Sequence, residues 1–316
     1  IDNNFFKYSE CNSKDINHVV KSAKIGAKNN KKLSLYEISK YLKKISIKIN
    51  SNKYKIAKLQ SQETGKPLSQ SIKEIEYCVK LWFFASQAVK LKTDYKVLCE
   101  KNTYANIKNE PVGIVALIIP WNYPMVVTSE RLPFILAAGN SIIIKPSEYA
   151  SQSIIFLLKI INETRLPVGT INLVTGSRKV GQKLVENDHV NMVSFTGSTK
   201  VGKEIMTICA KSIKRVSLEL GGKNSIIVLK DANIEKAVQA TIDGFTSNAG
   251  QACVGTSKLI IDKKIYNDFK IRLIKKLNSQ KVNYGPITTN KQYQNILNIL
   301  KKNKKFDKKI IYGSFN

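Results

Sequence analysis

From Asn17 to about Asn50 the apolar residues recur at helical spacing, closing with LYEISKYLKKISIKI, and lysines occupy the positions between them. That spacing predicts amphipathic helix. QETGKPLSQ (62–70) interrupts it with Gly and Pro, and SQSIKEIEYCVKLWFFASQAVKL then predicts a long helix, too apolar at WFFA to lie on the surface throughout. Residues 92–110 (KTDYKVLCEKNTYANIKNE) alternate, with β-branched and aromatic positions, and predict a hairpin of two strands.

From Glu110 the rhythm changes. PVGIVALIIP, NSIIIKPSE, TINLVTG and VNMVSFTG are short continuous apolar runs, the mark of strands buried on both faces of a parallel sheet. Helical stretches separate them: SERLPFILAAG, ASQSIIFLLKIINETRLP, KVGQKLVEN and KVGKEIMTICAKS. Strands alternating with helices predict an α/β fold built on a Rossmann-type, doubly wound parallel sheet. In such sheets ligands lie at the carboxyl ends of the strands, where PWNYP, KPSE, VTGS and FTGS fall. After RVSLELGGKNSIIVL a second α/β stretch follows, with ANIEKAVQATIDGF, a loop containing GQAC, and SKLIIDKKIYNDFKIRLIKKL. It ends in KKNKKFDKKIIYGSFN, with one expected strand and a turn.

Composition narrows this. A length of 316 residues with 43% hydrophobic residues fits a globular chain of about two domains. No apolar run approaches the length of a bilayer crossing, and no secretory signal is visible. The net charge of +29 points at first to nucleic acid. Yet only Arg131, Arg165, Arg178, Arg215 and Arg272 are arginines, the lysines are spread along the chain, and Lys, Asn and Ile share A/T-rich codons. Base composition accounts for the excess, and no dedicated nucleic-acid partner is expected. Five widely spaced cysteines without a CxxC suit neither a disulfide framework nor a zinc site; a reducing, cytoplasmic setting is expected, and no metal.

Several short stretches carry candidate chemistry. GSTKVGKE (197–204) matches a phosphate loop up to its lysine, after a strand and opening a helix, but Glu204 stands where Mg²⁺ needs a hydroxyl. What remains is an anion site at a helix N-terminus around Gly197 and Ser198, with a plain strand-to-helix turn as the alternative. Glu219 ends an apolar strand before Gly-Gly, the setting of a general base or of a solvated turn residue. Cys253 in GQAC reads as a loop nucleophile or as a structural thiol. Neither His18 nor His189 sits beside a motif, which disfavours a Cys–His pair and leaves a carboxylate as base. Asn122, between the prolines of PWNYP, offers an amide donor to an oxyanion or simply a turn.

Taken in order, PWNYP, KPSE, FTGS, ELGGK and GQAC resemble the motif series of the NAD(P)-dependent aldehyde dehydrogenase superfamily, over nearly the whole chain. The resemblance implies that Cys253 attacks an aldehyde carbonyl to give a thiohemiacetal. Asn122 and the Cys253 N–H then hold the oxyanion, and Glu219 activates water to hydrolyse the thioester. It implies NAD in preference to NADP as cofactor: Lys145 (counted also with the catalytic set) and Glu148 on the adenosine ribose, Ser198 and Trp121 at the pyrophosphate, Gly176 and Gly181 on the adenine side, Leu220 and Gly221 at the nicotinamide, Gln292 near its ribose. It divides the chain into a NAD-binding domain (1–91 and 111–219), an oligomerisation hairpin (92–110) and a catalytic domain (220–316). A small aldehyde, no membrane and a homo-oligomer of the complete protein are the implied partners, with a flavour of the betaine-aldehyde branch. The family's EEIFGPV motif is missing, so the chain is expected to stop partway through its catalytic domain; the alternative is a short, catalytically degenerate nucleotide binder.

Overall fold

In the computed structural model, residues 8–91, 94–279 and 284–303 are described. One unit runs up to Glu63 and resumes over Leu68–Leu220; the other comprises Thr64–Pro67 and the chain from Gly221.

The first unit is organised by five parallel strands: β3 (Ile114–Ile118), β4 (Ser141–Lys145), β5 (Ile171–Leu173), β6 (Met192–Gly197) and β7 (Arg215–Leu220). Their order across the sheet is β5-β4-β3-β6-β7, so the winding reverses between β3 and β6. Because side chains alternate along a strand, the apolar runs of β3 and β4 serve two cores. Leu117, Ile142 and Ile144 face a cluster holding Leu42, Ile45, Trp82, Leu132 and Leu157. Ala116, Ile143, Val193 and Phe195 face another, with Val20, Val180, Leu184 and Ile205.

The helices around the sheet are α1 (Ser13–Asn30), α2 (Leu35–Ser51), α3 (Lys53–Thr64), α4 (Leu68–Ala88), α5 (Pro124–Ala137), α6 (Gln152–Asn162), α7 (Arg178–Glu186) and α8 (Thr199–Lys211). Local signals fix their starts. Asn12 with Asp15, and Ser34 with Glu37, form capping boxes on α1 and α2, satisfying N–H groups that have no partner within the helix. Gly26 lets α1 approach the chain closely before β5: a Cβ there would stand 2.0 Å from the Gly169 carbonyl oxygen. The hairpin expected at 92–110 is β1 (Tyr95–Glu100) against β2 (Thr103–Ile107), antiparallel, with every residue of both strands exposed; residues 92 and 93 lie outside the described residues. In α4 the WFFA stretch splits, with Trp82 and Ala85 buried but Phe83 and Phe84 exposed, because consecutive helical residues point in different directions.

In the second unit β8 (Asn224–Val228) and β9 (Thr256–Ile261) pair in parallel beside α9 (Ile234–Thr246) and α10 (Tyr266–Ser279), around Val228, Val238, Ile242 and Phe269. The paired Ile227 and Ile260 are both exposed, so one face of this two-stranded sheet is uncovered. α11 (Asn290–Lys302) follows, capped by Thr289. Thr64–Pro67 groups with this unit, between two helices of the other. The cause is local: the Thr288 hydroxyl donates to the Thr64 carbonyl (3.0 Å), and a Cβ on Gly285 would lie 2.4 Å from the Gly65 oxygen. The strand expected after Lys302 falls on residues 304–316, outside the described residues.

Candidate functional site

At the carboxyl ends of β3, β4 and β6, where the winding reverses, the first unit holds a cavity of about 590 Å³. That is the place and the size expected of a small-molecule site on such a sheet. Its floor comes from Ile118 to Trp121 after β3, Lys145, Ser147 and Glu148 after β4, and Phe195 to Ser198 at the end of β6. Between α7 and α8 it becomes an apolar slot walled by Val185, Val201, Ile205 and Ile208. Ser198 caps α8, its hydroxyl accepting from the Val201 N–H (3.4 Å), so the first N–H groups of that helix start at the cavity edge. Gly197 and Gly202 keep the turn tight: added Cβ atoms would stand 2.5 Å from the Phe195 ring and 2.6 Å from Leu220 Cδ2.

Lys145 is the buried cation of this cavity, 4% exposed, with Nζ donating to the Pro146 carbonyl (2.9 Å) and 3.9 Å from Glu148 Oε2. Burial pulls its pKa below the ordinary lysine value, while Glu148 and then Glu10 pull it back up. Gly181 makes room for its stem, since a Cβ there would lie 3.3 Å from Lys145 Cδ. The loop carrying Glu148 is tied at two points. The Tyr8 hydroxyl donates to the Glu148 carbonyl, and Ser151 Oγ donates to the Ser147 carbonyl (2.8 Å). Just beyond the loop, Glu63 receives the Gln152 N–H (2.7 Å) together with the hydroxyl and N–H of Ser153, capping α6 from another helix. Burial pushes the Glu63 carboxyl up to about 7, against the pull of those three donors. Glu10 caps α7 through the Ser177 hydroxyl and N–H, which hold its carboxyl below the usual range.

Trp121, Lys145, Glu148, Gly181 and Ser198 all line the cavity. Gly176 does not: it has φ +140° and turns the chain under Glu10 and Val180. Leu220 ends β7 and packs on Gly202 outside the lining. Asn122 is half-buried just past Trp121. Glu219 is mostly exposed and ion-paired with Arg131 of α5 (2.8 Å). Both histidines are exposed.

Gly221, Cys253 and Gln292 lie in the other unit. There Cys253 is exposed on the loop after a short 3-10 turn, Ser247–Gly250, in which Asn248, Ala249 and Gly250 take φ of 51°, 55° and 74°. Three successive left-handed residues, two of them with side chains, are held only by surrounding bonds. Gln251 supplies these, donating to the carbonyls of Asn248 (2.9 Å) and Pro286 (3.2 Å) and accepting from the Thr288 N–H (2.9 Å). Asn224 Nδ2 donates to the Cys253 carbonyl (2.8 Å). Gln292 sits in the first turn of α11, its N–H bonded to Thr289 Oγ1.

Sequence reasoning missed Tyr8, Glu10, Glu63 and Arg178. Arg178 left a usable signal, as one of five arginines placed where a helix opens after VTGS. Tyr8, Glu10 and Glu63 left none, because each reaches its partner across a long chain separation.

A family model described as "Aldehyde dehydrogenase family" matches residues 2–315. Among curated relatives, the chain is 36% identical over 290 residues to aminoaldehyde dehydrogenase 1, peroxisomal, of Malus domestica. It is 35% identical over 288 residues to betaine aldehyde dehydrogenase 1 of Oryza sativa subsp. japonica. Each match covers 87% of this chain and 57% of the relative, so the chain spans little more than half the relatives' length. Among solved structures it is similar to an NAD-dependent aldehyde dehydrogenase from Sinorhizobium meliloti (TM-score 0.89, 30% identity, 92% of this chain and 61% of that one). It is similar also to the NAD+ complex of an aldehyde dehydrogenase from Bacillus cereus (TM-score 0.89, 30% identity, 94% and 63%).

Proposed function

The chain belongs to the aldehyde dehydrogenase family, and from that premise we propose that the protein oxidises an aldehyde to the carboxylic acid with NAD held in the cavity of the first unit. The observation that carries this reading is the cavity itself: a buried ammonium, an adjacent carboxylate and a helix N-terminus at the reversal of a parallel sheet, opening into an apolar slot.

The residues present fit a dinucleotide. Lys145 and Glu148 offer a donor and an acceptor pair to ribose hydroxyls. Ser198 and the start of α8 suit a pyrophosphate, Trp121 stands beside that position, and the slot between α7 and α8 suits a flat base. Gly181 belongs to this arrangement through the room it gives Lys145. NAD is the dinucleotide bound in the Bacillus cereus complex. Bound here, it supplies the hydride acceptor.

The remaining roles come from the family resemblance. Cys253, as thiolate, adds to the aldehyde carbon, and the Asn122 amide donates to the resulting oxyanion. After hydride loss the thioester carbon is attacked by water, Glu219 taking the water's proton, and the Cys253 thiolate leaves with the carboxylic acid as product. Leu220, Gly221 and Gln292 keep their assignment to the nicotinamide end, and Gly176 acts on the adenine side through the turn that starts α7. The hairpin β1–β2 is the proposed contact of a homo-oligomer. Relatives named for aminoaldehydes and betaine aldehyde make an aldehyde bearing a cationic nitrogen the first substrate to try.

The test combines two readings on one sample. The chain is mixed with NAD and an aminoaldehyde or betaine aldehyde; NADH is followed by absorbance, and the intact protein mass is read after quenching. The proposal expects NADH together with an acyl adduct on Cys253, both lost in Cys253→Ser. NAD binding with neither NADH nor adduct overturns the oxidation and leaves a nucleotide binder.

A further inference from the structure

In the sequence Glu204 is the residue that spoils a metal-binding phosphate loop; in the structure it has a partner. Arg178 Nη2, in the first turn of α7, pairs with Glu204 Oε2 in the second turn of α8, and both side chains line the cavity. The pair is solvated, with side chains 63% and 36% exposed, so it contributes little to stability. Its position matters more. Gly181 lies one turn beyond Arg178 on the same face of α7 and abuts the Lys145 stem. Lys145 in turn neighbours Glu148. Two cations and two carboxylates therefore line the cavity, with Glu10 in electrostatic reach of Lys145 behind it. Lys179, Lys183, Lys200 and Lys203 are exposed on the same two helices but do not line it.

On the cofactor reading above, Lys145 and Glu148 meet the adenosine ribose. NADP differs from NAD there by one phosphate, and a guanidinium fork is the side chain best matched to a phosphate. We infer that Glu204 sets the choice between the two dinucleotides by occupying the Arg178 guanidinium, which otherwise grips a 2′-phosphate. With the pair closed, an incoming phosphate finds a satisfied arginine and two carboxylates, Glu148 and Glu204, that repel it. With Glu204 neutral, the Arg178 charge is no longer compensated, and of the lining carboxylates Glu148 alone opposes.

Isothermal titration of the full chain with NAD and with NADP tests this on four proteins: wild type, Glu204→Gln, Arg178→Gln and the double variant. Glu204→Gln tightens NADP about tenfold relative to NAD, as expected for one new charge-assisted contact. NAD itself shifts by no more than about twofold, as expected on breaking a solvated pair. The double variant returns to the wild-type preference, Arg178→Gln alone gains no NADP affinity and leans further toward NAD, and added salt shrinks the gain. Equal shifts for both dinucleotides, an unchanged ratio in Glu204→Gln, or a gain that survives in the double variant each overturn the inference. Those results leave the cofactor reading standing if the wild type binds NAD. A wild type that binds neither dinucleotide overturns both.

Discussion

Replacing Glu63 by Gln separates two opposing forces on one buried group. The carboxylate accepts three hydrogen bonds at the start of α6, from the Gln152 N–H on one oxygen and from the Ser153 N–H and hydroxyl on the other. Gln keeps one acceptor and turns an NH₂ toward the remaining donors, so one N–H of the helix start loses its partner, at a cost of about 1 kcal/mol. Against this, burial raises the carboxyl from an ordinary 4.5 to about 7, a gap worth up to about 3 kcal/mol. The sign follows from proton counting. Between those two values the folded chain holds a proton that the unfolded chain has released, so the stabilisation is complete below about 4.5 and lost as pH rises through about 7. Glu63→Gln, neutral throughout, lacks this slope. Urea unfolding read by tryptophan fluorescence, with Trp82 buried in the same unit, gives the comparison across pH from roughly 5 to 8. At the acidic end, where folded Glu63 carries its proton, the two proteins are about equally stable, and above neutrality Glu63→Gln is the more stable. A wild-type advantage that grows with pH shows instead that the three donors outweigh burial.

Two further outcomes follow from packing. Gly26→Ala places a methyl group 2.0 Å from the Gly169 oxygen, backbone against backbone, and lowers stability by about 3 kcal/mol; an unchanged urea midpoint contradicts the close approach of α1 to the sheet. A small alkylating reagent labels Cys99 and Cys253, which are exposed, on the folded chain. Cys78 and Cys209 react only on unfolding, Cys78 being buried with its thiol pushed up to about 12. Peptide mass mapping reads this directly, and labelling of Cys78 at the rate of Cys99 counts against it.

The central parallel strands were legible because a strand buried on both faces leaves an uninterrupted apolar run, as IVALI and the isoleucines of SIIIK do. The helices beside the sheet were legible where one face is buried. Sequence reading missed α11, in which no residue is buried, and α3, whose KYKIAKLQSQET has little apolar periodicity. The turn at GSTKVGKE was readable from its glycines, but the partner of Glu204 was not, since Arg178 lies 26 residues away on another helix. The same holds for Glu219, whose ion pair with Arg131 joins a strand end to a distant helix. Thr64–Pro67 left its flanking helices because of carbonyl and glycine contacts with Gly285 and Thr288, and no local pattern encodes those.

On the proposed function, the cavity at the sheet's reversal holds a dinucleotide through Lys145. Calorimetric titration of NAD into the wild-type chain and into Lys145→Met tests it most directly, because Met keeps much of the stem's bulk and removes only the buried ammonium. Saturable binding in wild type, weakened about tenfold or more in Lys145→Met, is the predicted result. Equal NAD affinity in the two proteins contradicts the claim.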